Sequence, residues 1–313
     1  MELGFYLRSI ILGFLLCFGG LSAATAAEII SIPGKRGAVA VPAPPSRVVI
    51  MDYGMLDTLE TFQAMGLLGN GVQVALPKSN LPDYLSKYRG EEFSDIGGLK
   101  DFNLEYINTF KPEVIIISGR QQDFYQELSS IAPVWQIDSL PAPYLQGTRQ
   151  NIRDMGKLFA VGEAAEKALA DIDRAAGEVR DRALAKGFKA LVLLTNDGKI
   201  SAYGSGSRFG IIHDALGFEQ ADPSTRVGIH GQLVNYEYIA KTNPDIIFVV
   251  DRSVAVIGKA DGVRILENEL VKGTTAAKKG RIVSLDPGVW YLSGGGLMSL
   301  RMMIDEVGRA LEK

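Results

Sequence analysis

Short, mostly apolar runs alternate along this chain with segments of helical spacing. The runs SRVVIMD (46–52), EVIIIS (113–118), PVWQID (133–138), KALVLLT (189–195), DIIFVV (245–250) and RIVSLD (281–286) are mainly apolar, carried by Val, Ile and Leu. Such runs predict strands buried on both faces. MLDTLETFQAMG (55–66) instead sets Leu56, Leu59, Phe62 and Met65 on one side and stops at Gly66, the signature of an amphipathic helix with a glycine end. FGIIHDALG (209–217) and LMSLRMMIDEVGRALE (297–312) also read as helices. Strand and helix in alternation imply an α/β chain whose mainly parallel sheets are covered on both faces.

One segment breaks the rhythm. GEAAEKALADIDRAAGEVRDRALAK (162–186) contains no proline and is rich in Ala, Glu, Arg and Lys. A helix of this length would run about 37 Å, enough to span a small domain. It is either a surface amphipathic helix or a rigid strut, and strand–helix alternation resumes after it. The expected architecture is therefore two α/β lobes joined by one long rigid helix. The N-lobe covers 28–161, the helix 162–187 and the C-lobe 188–313.

The first 27 residues differ from the rest. Arg8 precedes the apolar run IILGFLLCFGGL (10–21), and the small residues of SAATAAE follow. That order describes a secretory signal peptide, and the run is short for a membrane span. Cleavage is expected near Ala27, placing the mature protein in the periplasm. Cys17, the only cysteine, follows Leu15 and Leu16 rather than small residues, so lipid anchoring is not expected. Without a thiol the mature chain has no disulfide, zinc–cysteine site or cysteine nucleophile. Its composition of 47% hydrophobic and 22% charged residues is globular, and a net charge of −3 argues against a nucleic-acid partner.

Two stretches repeat each other. NLEYINTFKPEVIIISGR (103–120) and NYEYIAKTNPDIIFVVDR (235–252) align without a gap, every pair 132 positions apart and seven of eighteen identical. Asn103 and Asn235 can cap a helix, with Glu105 and Glu237 in its first turn, where negative charge suits the helix dipole. Pro112 and Pro244 close each helix before an apolar strand, and Arg120 and Arg252 stand at that strand's C-terminal end. Open parallel sheets bind ligands beyond the carboxyl ends of their strands. Either arginine alone reads as a solvated charge, but the shared offset favours two guanidiniums facing one cleft, which suits an anion with paired oxygens.

Other candidates flank the same edge. Arg208 lies in the Gly/Ser loop YGSGSRFG (203–210), which opens onto a helix; it is either an anion site or a flexible turn. His230 sits between Gly228 and Gly231 on a loop before the second repeat, facing either cleft or solvent. His213 falls mid-helix and reads as packed or half-exposed. In GVWYLSGGG (288–296), Trp290 suits the core, and Tyr291 has a phenol oxygen able to bind a hard metal. No H-E-x-x-H, G-x-S-x-G, P-loop or G-x-G-x-x-G motif occurs, so neither a hydrolase nor a nucleotide-binding enzyme is expected.

These elements, with VPAPPSRVVIMDYGMLDTL and VWYLSGGGLMSL, resemble the periplasmic solute-binding proteins of iron–siderophore and cobalamin importers over the whole mature length. The resemblance is strongest to binders of ferric catecholate siderophores. It implies that Arg120, Arg208 and Arg252 contact catecholate oxygens, while His230 and Tyr291 complete the coordination of Fe(III), the cargo rather than an intrinsic cofactor. Having both sets suits a linear, tetradentate bis-catecholate. It also implies that Glu105 and Glu237 dock on the permease of an ABC importer, which works with an ATPase; simple dipole complement is the competing role. A monomer is expected. Other ligands on the same fold would be haem, cobalamin, a ferric hydroxamate or a citrate-type ferric complex.

Overall fold

A computed structural model describes residues 28–69, 71–138, 144–225, 228, 231–258 and 267–313. The expected leader (1–27), with Cys17 and the cleavage position, lies outside the described residues, as does His230. Among the described residues no helix is long and apolar enough to cross a membrane.

After the hairpin β1 (Glu28–Ile32) and β2 (Val39–Ala43), the first sheet is built from β3 (Arg47–Ile50), β4 (Gln73–Leu76), β5 (Ser94–Asp95), β6 (Val114–Ile117) and β7 (Val134–Gln136). Its order is β5-β4-β3-β6-β7, parallel throughout. The second sheet uses β8 (Lys189–Asn196), β9 (Lys199–Tyr203), β10 (Glu219–Gln220), β11 (Gln232–Val234), β12 (Ile246–Asp251) and β13 (Ile282–Leu285). Its order is β11-β9-β8-β12-β13, with β10 beside the start of β8. The sheets are thus less uniform than the apolar runs suggest, because β8/β9 and β9/β11 are antiparallel. The cause is local: Asp197 (φ 48°) and Gly198 (φ 74°) both take the left-handed backbone, which closes a two-residue hairpin of the Asp-Gly type.

The repeat holds equivalent places in the two sheets. β6 lies between β3 and β7, and β12 lies between β8 and β13. The preceding helices, Leu104–Phe110 and Tyr236–Thr242, are capped by the Asn103 and Asn235 side chains. Both end in a left-handed residue, Lys111 (φ 52°) and Asn243 (φ 44°), just before the proline that cannot continue the helix. The next matched pair also does the same work. Glu113 accepts from the backbone N–H of Ser46 and Arg47, and Asp245 from that of Lys189, so each carboxylate fastens its unit to the neighbouring strand.

The long helix spans Gly162–Lys186 and ends at Gly187 (φ 62°). Its buried stripe of Ala165, Leu169, Ile172, Ala176, Val179 and Ala183 belongs to a core cluster shared by residues of both sheets. Arg149–Asp173 and Arg153–Glu166, both 2.7 Å, tie it to the helix Tyr144–Leu158, and Arg182 donates to the Gly308 carbonyl of the C-terminal helix Leu297–Ala310. A methyl at Gly177 would meet open space. Gly177→Ala should therefore add about 1 kcal/mol of stability by helix propensity alone, measurable by urea unfolding.

A second connection joins the two ends of the chain. The helix Tyr53–Ala64, which follows β3, carries Asp57 and Thr58, both fully buried. Asp57 Oδ1 accepts from Met298 N–H at 3.1 Å, and Oδ2 from Ser299 N–H at 3.1 Å and from the Tyr84 hydroxyl at 3.0 Å. Thr58 Oγ1 accepts from Leu297 N–H at 3.3 Å. The first orphan donors of the C-terminal helix are thus capped from another element. Burial pushes the Asp57 carboxyl up to about 7, against the opposing bonds from Ser299, Tyr84 and Met298. A carboxyl raised in the folded state stabilises it fully below the unfolded value of 3.8, and that contribution is lost as pH rises through about 7. The wild-type melting temperature should accordingly fall between pH 4 and 7 along a slope that Asp57→Asn lacks, as calorimetry at stepped pH would show.

One expected helix shrinks. The segment 209–217 forms only Ile211–Asp214, because Asp214 turns back to accept from the Ser205 hydroxyl and, at 2.8 Å, from Gly206 N–H. The carboxylate thereby occupies the place an anion would take in that Gly/Ser loop. His213 is half-buried, with Nδ1 3.1 Å from the Phe218 carbonyl oxygen.

Candidate ligand-binding site between the lobes

Arg120, Arg208, Arg252 and Tyr291 come together from four separate segments. Arg120 lies just past β6 in the 3-10 turn Gly119–Phe124, which Ser118 caps. Arg252 is the first residue of the helix Arg252–Ile257, capped by Asp251 at the end of β12. Arg208 follows β9 in the Gly/Ser loop, and Tyr291 sits in the π-helical turn Gly288–Leu292. Turns of this wide kind are common at functional sites.

All three guanidiniums converge on Tyr291. Arg120 Nη2 and Arg208 Nη2 both donate to its carbonyl oxygen, at 2.6 and 2.9 Å, and Arg120 Nη1 donates to the Leu292 carbonyl at 2.9 Å. Arg252 Nε donates to the phenol oxygen at 2.7 Å, and its Nη1 to Asn196 Oδ1 at 2.6 Å. The guanidinium carbons of Arg208, Arg252 and Arg120 lie 4.5, 5.5 and 5.9 Å from the ring centroid, within reach of the negative face of the ring. Among the described residues none of the three is ion-paired.

The electrostatics follow from this crowding. Burial alone would raise the Tyr291 phenol, but the Arg252 hydrogen bond and the charges of Arg208, Arg252 and Arg120 outweigh it and hold the phenol below its ordinary value. Burial, then the charge of Arg120, depresses Arg208. Three cations beside an acidified phenol can pair with an anion and offer an oxygen donor to a hard metal.

Asn196 is a member that sequence reasoning missed. It closes β8 at the Asp-Gly hairpin and fixes the plane of the Arg252 guanidinium, while Ser253 Oγ accepts from Asp197 N–H at 3.3 Å. The NDG sequence at a strand's C-terminal end was the available signal. Trp290 is buried, donating from Nε1 to Glu306 at 2.7 Å, as core packing requires. Glu105 and Glu237 are exposed at the first turns of the matched helices, and neither is ion-paired among the described residues. Each helix runs back along its sheet, so both glutamates stand on the edge where the strands end.

Comparison with known proteins identifies the family. Residues 53–289 match the model of a family described as periplasmic binding protein. The chain belongs to that family. Within it, the chain is 41% identical over 273 residues to the petrobactin-binding protein YclQ of Bacillus subtilis, covering 87% of this chain and 84% of YclQ. It superposes on the YclQ crystal structure with a TM-score of 0.87, covering 91% of this chain and 99% of that one. The ferric-anguibactin-binding protein FatB of Vibrio anguillarum is 30% identical, over 84% of this chain and 81% of FatB. The structure of VctP, the periplasmic catecholate-siderophore binding protein of Vibrio cholerae, matches at 31% identity and a TM-score of 0.80, covering 90% of this chain and 99% of VctP. These members of the family are named as binding proteins.

Proposed function

We propose that this chain is the substrate-binding protein of an ABC iron importer, capturing a ferric catecholate siderophore between its lobes and delivering it to an inner-membrane permease served by an ATPase. The observation that carries the reading is the convergence of Arg120, Arg208 and Arg252 on Tyr291. The likeness to the petrobactin-binding protein YclQ and the catecholate-siderophore binding protein VctP supports it, and petrobactin is the first ligand to test. In this reading the guanidiniums neutralise the outer oxygens of the chelate, and Tyr291 and His230 fill iron positions that a tetradentate ligand leaves open. The protein works as a monomer, turns nothing over, and is exported by a leader cleaved near Ala27 without lipid attachment.

Titration followed by tryptophan emission tests the reading, since Trp290 is bonded to Tyr291 through one peptide. Ferric petrobactin and a ferric bis-catecholate should quench tightly and stoichiometrically. Tighter quenching by haem, cobalamin, a ferric hydroxamate or ferric citrate would replace the proposed ligand class, and conversion of the ligand after long incubation would make the protein an enzyme.

A further inference from the structure

The turn that presents Tyr291 is held from both sides: Asp286, just past β13, accepts from Gly288 and Val289 N–H, while the segment behind the turn lies on the first lobe. Behind Tyr291 the chain passes through Gly294 (φ 65°) and Gly295 (φ 80°) to Gly296, then enters the C-terminal helix. A side chain at Gly296 would collide with the Gly54 carbonyl and the Asp57 carboxylate, and one at Gly54 with the Gly294 carbonyl. A Cβ on Gly294 would lie 2.6 Å from the Tyr144 hydroxyl oxygen, and one on Gly295 would lie 3.4 Å from Thr148. The glycines therefore let this turn lie directly on two helices of the first lobe, Tyr53–Ala64 and Tyr144–Leu158. Asp57 and Thr58 then take the N–H groups of Leu297, Met298 and Ser299, and Arg120 holds the Tyr291 and Leu292 carbonyls from in front.

We infer that Asp57, steadied by Tyr84, is the positioning residue of the Tyr291 turn, and that this turn moves with the first lobe although the chain reaches it from the second. Arg208 and Arg252, by contrast, come from the second lobe. When the lobes shift, their contacts to Tyr291 are the ones that change, while those of Arg120 persist. Asp57 touches no ligand; it acts by fixing where the phenol stands.

The inference rests on the proposed function only for its effect on binding, so the test has two arms. In the ligand-free full chain at pH 8, where the Asp57 carboxyl is ionised, Asp57→Asn puts an amide where two backbone donors need an acceptor. Hydrogen exchange should speed at least tenfold across 288–299 and remain unchanged in β12. In the binding arm, the ferric complex of a linear bis(2,3-dihydroxybenzoyl) diamine, which leaves iron positions for Tyr291, should weaken at least tenfold. The hexadentate ferric tris(2,3-dihydroxybenzoyl) complex should weaken less than threefold. Tyr84→Phe removes one donor to Asp57 and should give smaller changes of the same kind, including when Asp57→Asn fails to fold. Unchanged exchange in 288–299, or equal losses for both complexes, would overturn the assignment. A wild type that binds neither complex would defeat the functional reading and leave the exchange result to decide the positioning role.

Discussion

Arg252→Ala should weaken a ferric catecholate by about 1.5–3 kcal/mol, roughly ten- to a hundredfold in Kd, the range for a charge-assisted hydrogen bond. Two groups lose their partner at once. The Tyr291 phenol gives up the donor that acidifies it most, and Asn196 Oδ1 is left without the guanidinium 2.6 Å away. Arg120→Ala should lie in the same range for a different reason, because it also removes the donors to the Tyr291 and Leu292 carbonyls. Since Arg120 and Arg208 share one carbonyl acceptor, their double replacement should not equal the sum of the single ones. Arg252→Lys keeps a charge but not the fork that reaches Tyr291 and Asn196 together, so its affinity should fall between wild type and alanine. Fluorescence titration of each variant decides the matter, and unchanged affinity would remove that arginine from the site.

How much of this was legible in the chain depended on whether the signal was local. The long helix emerges at 162–186 because a proline-free run is closed by Gly187, and the apolar runs become β3, β6, β7, β8, β12 and β13 within one or two residues. The paired arginines could be found because a repeat at a fixed offset places equivalent residues at equivalent strand ends. Asp57 gave no such sign. It reads as one polar position in an amphipathic helix, and its partners lie about 240 residues away at Met298 and Ser299. The antiparallel edge of the second sheet and Asn196 share one cause, an Asp-Gly hairpin whose signal was present and went unused. The helix Tyr144–Leu158 was also missed. The Gly/Ser loop differs from an open anion cradle, since Asp214 takes the Gly206 N–H and Gln220 that of Ser205, and Arg208 reaches the site as a side chain beside an occupied loop.

Reversing both docking candidates, Glu105→Lys with Glu237→Lys, should abolish siderophore-dependent uptake in cells and leave binding to the purified protein unchanged. Both carboxylates are exposed and free of ion pairs among the described residues, so their loss should disturb neither lobe. The Asn103 and Asn235 caps supply the hydrogen bonds at these helix starts, so a lysine there should cost about 0.3–1 kcal/mol per site through the helix dipole. That is small beside the several kcal/mol by which a like charge would oppose the proposed basic permease surface. The matched positions, 132 residues apart on equivalent helices, would let one permease dimer grip both lobes at once. Simple dipole complement predicts the opposite pattern, a slightly lower melting temperature with uptake intact. Uptake of radiolabelled iron by cells carrying the double variant, set beside its melting curve, separates the two.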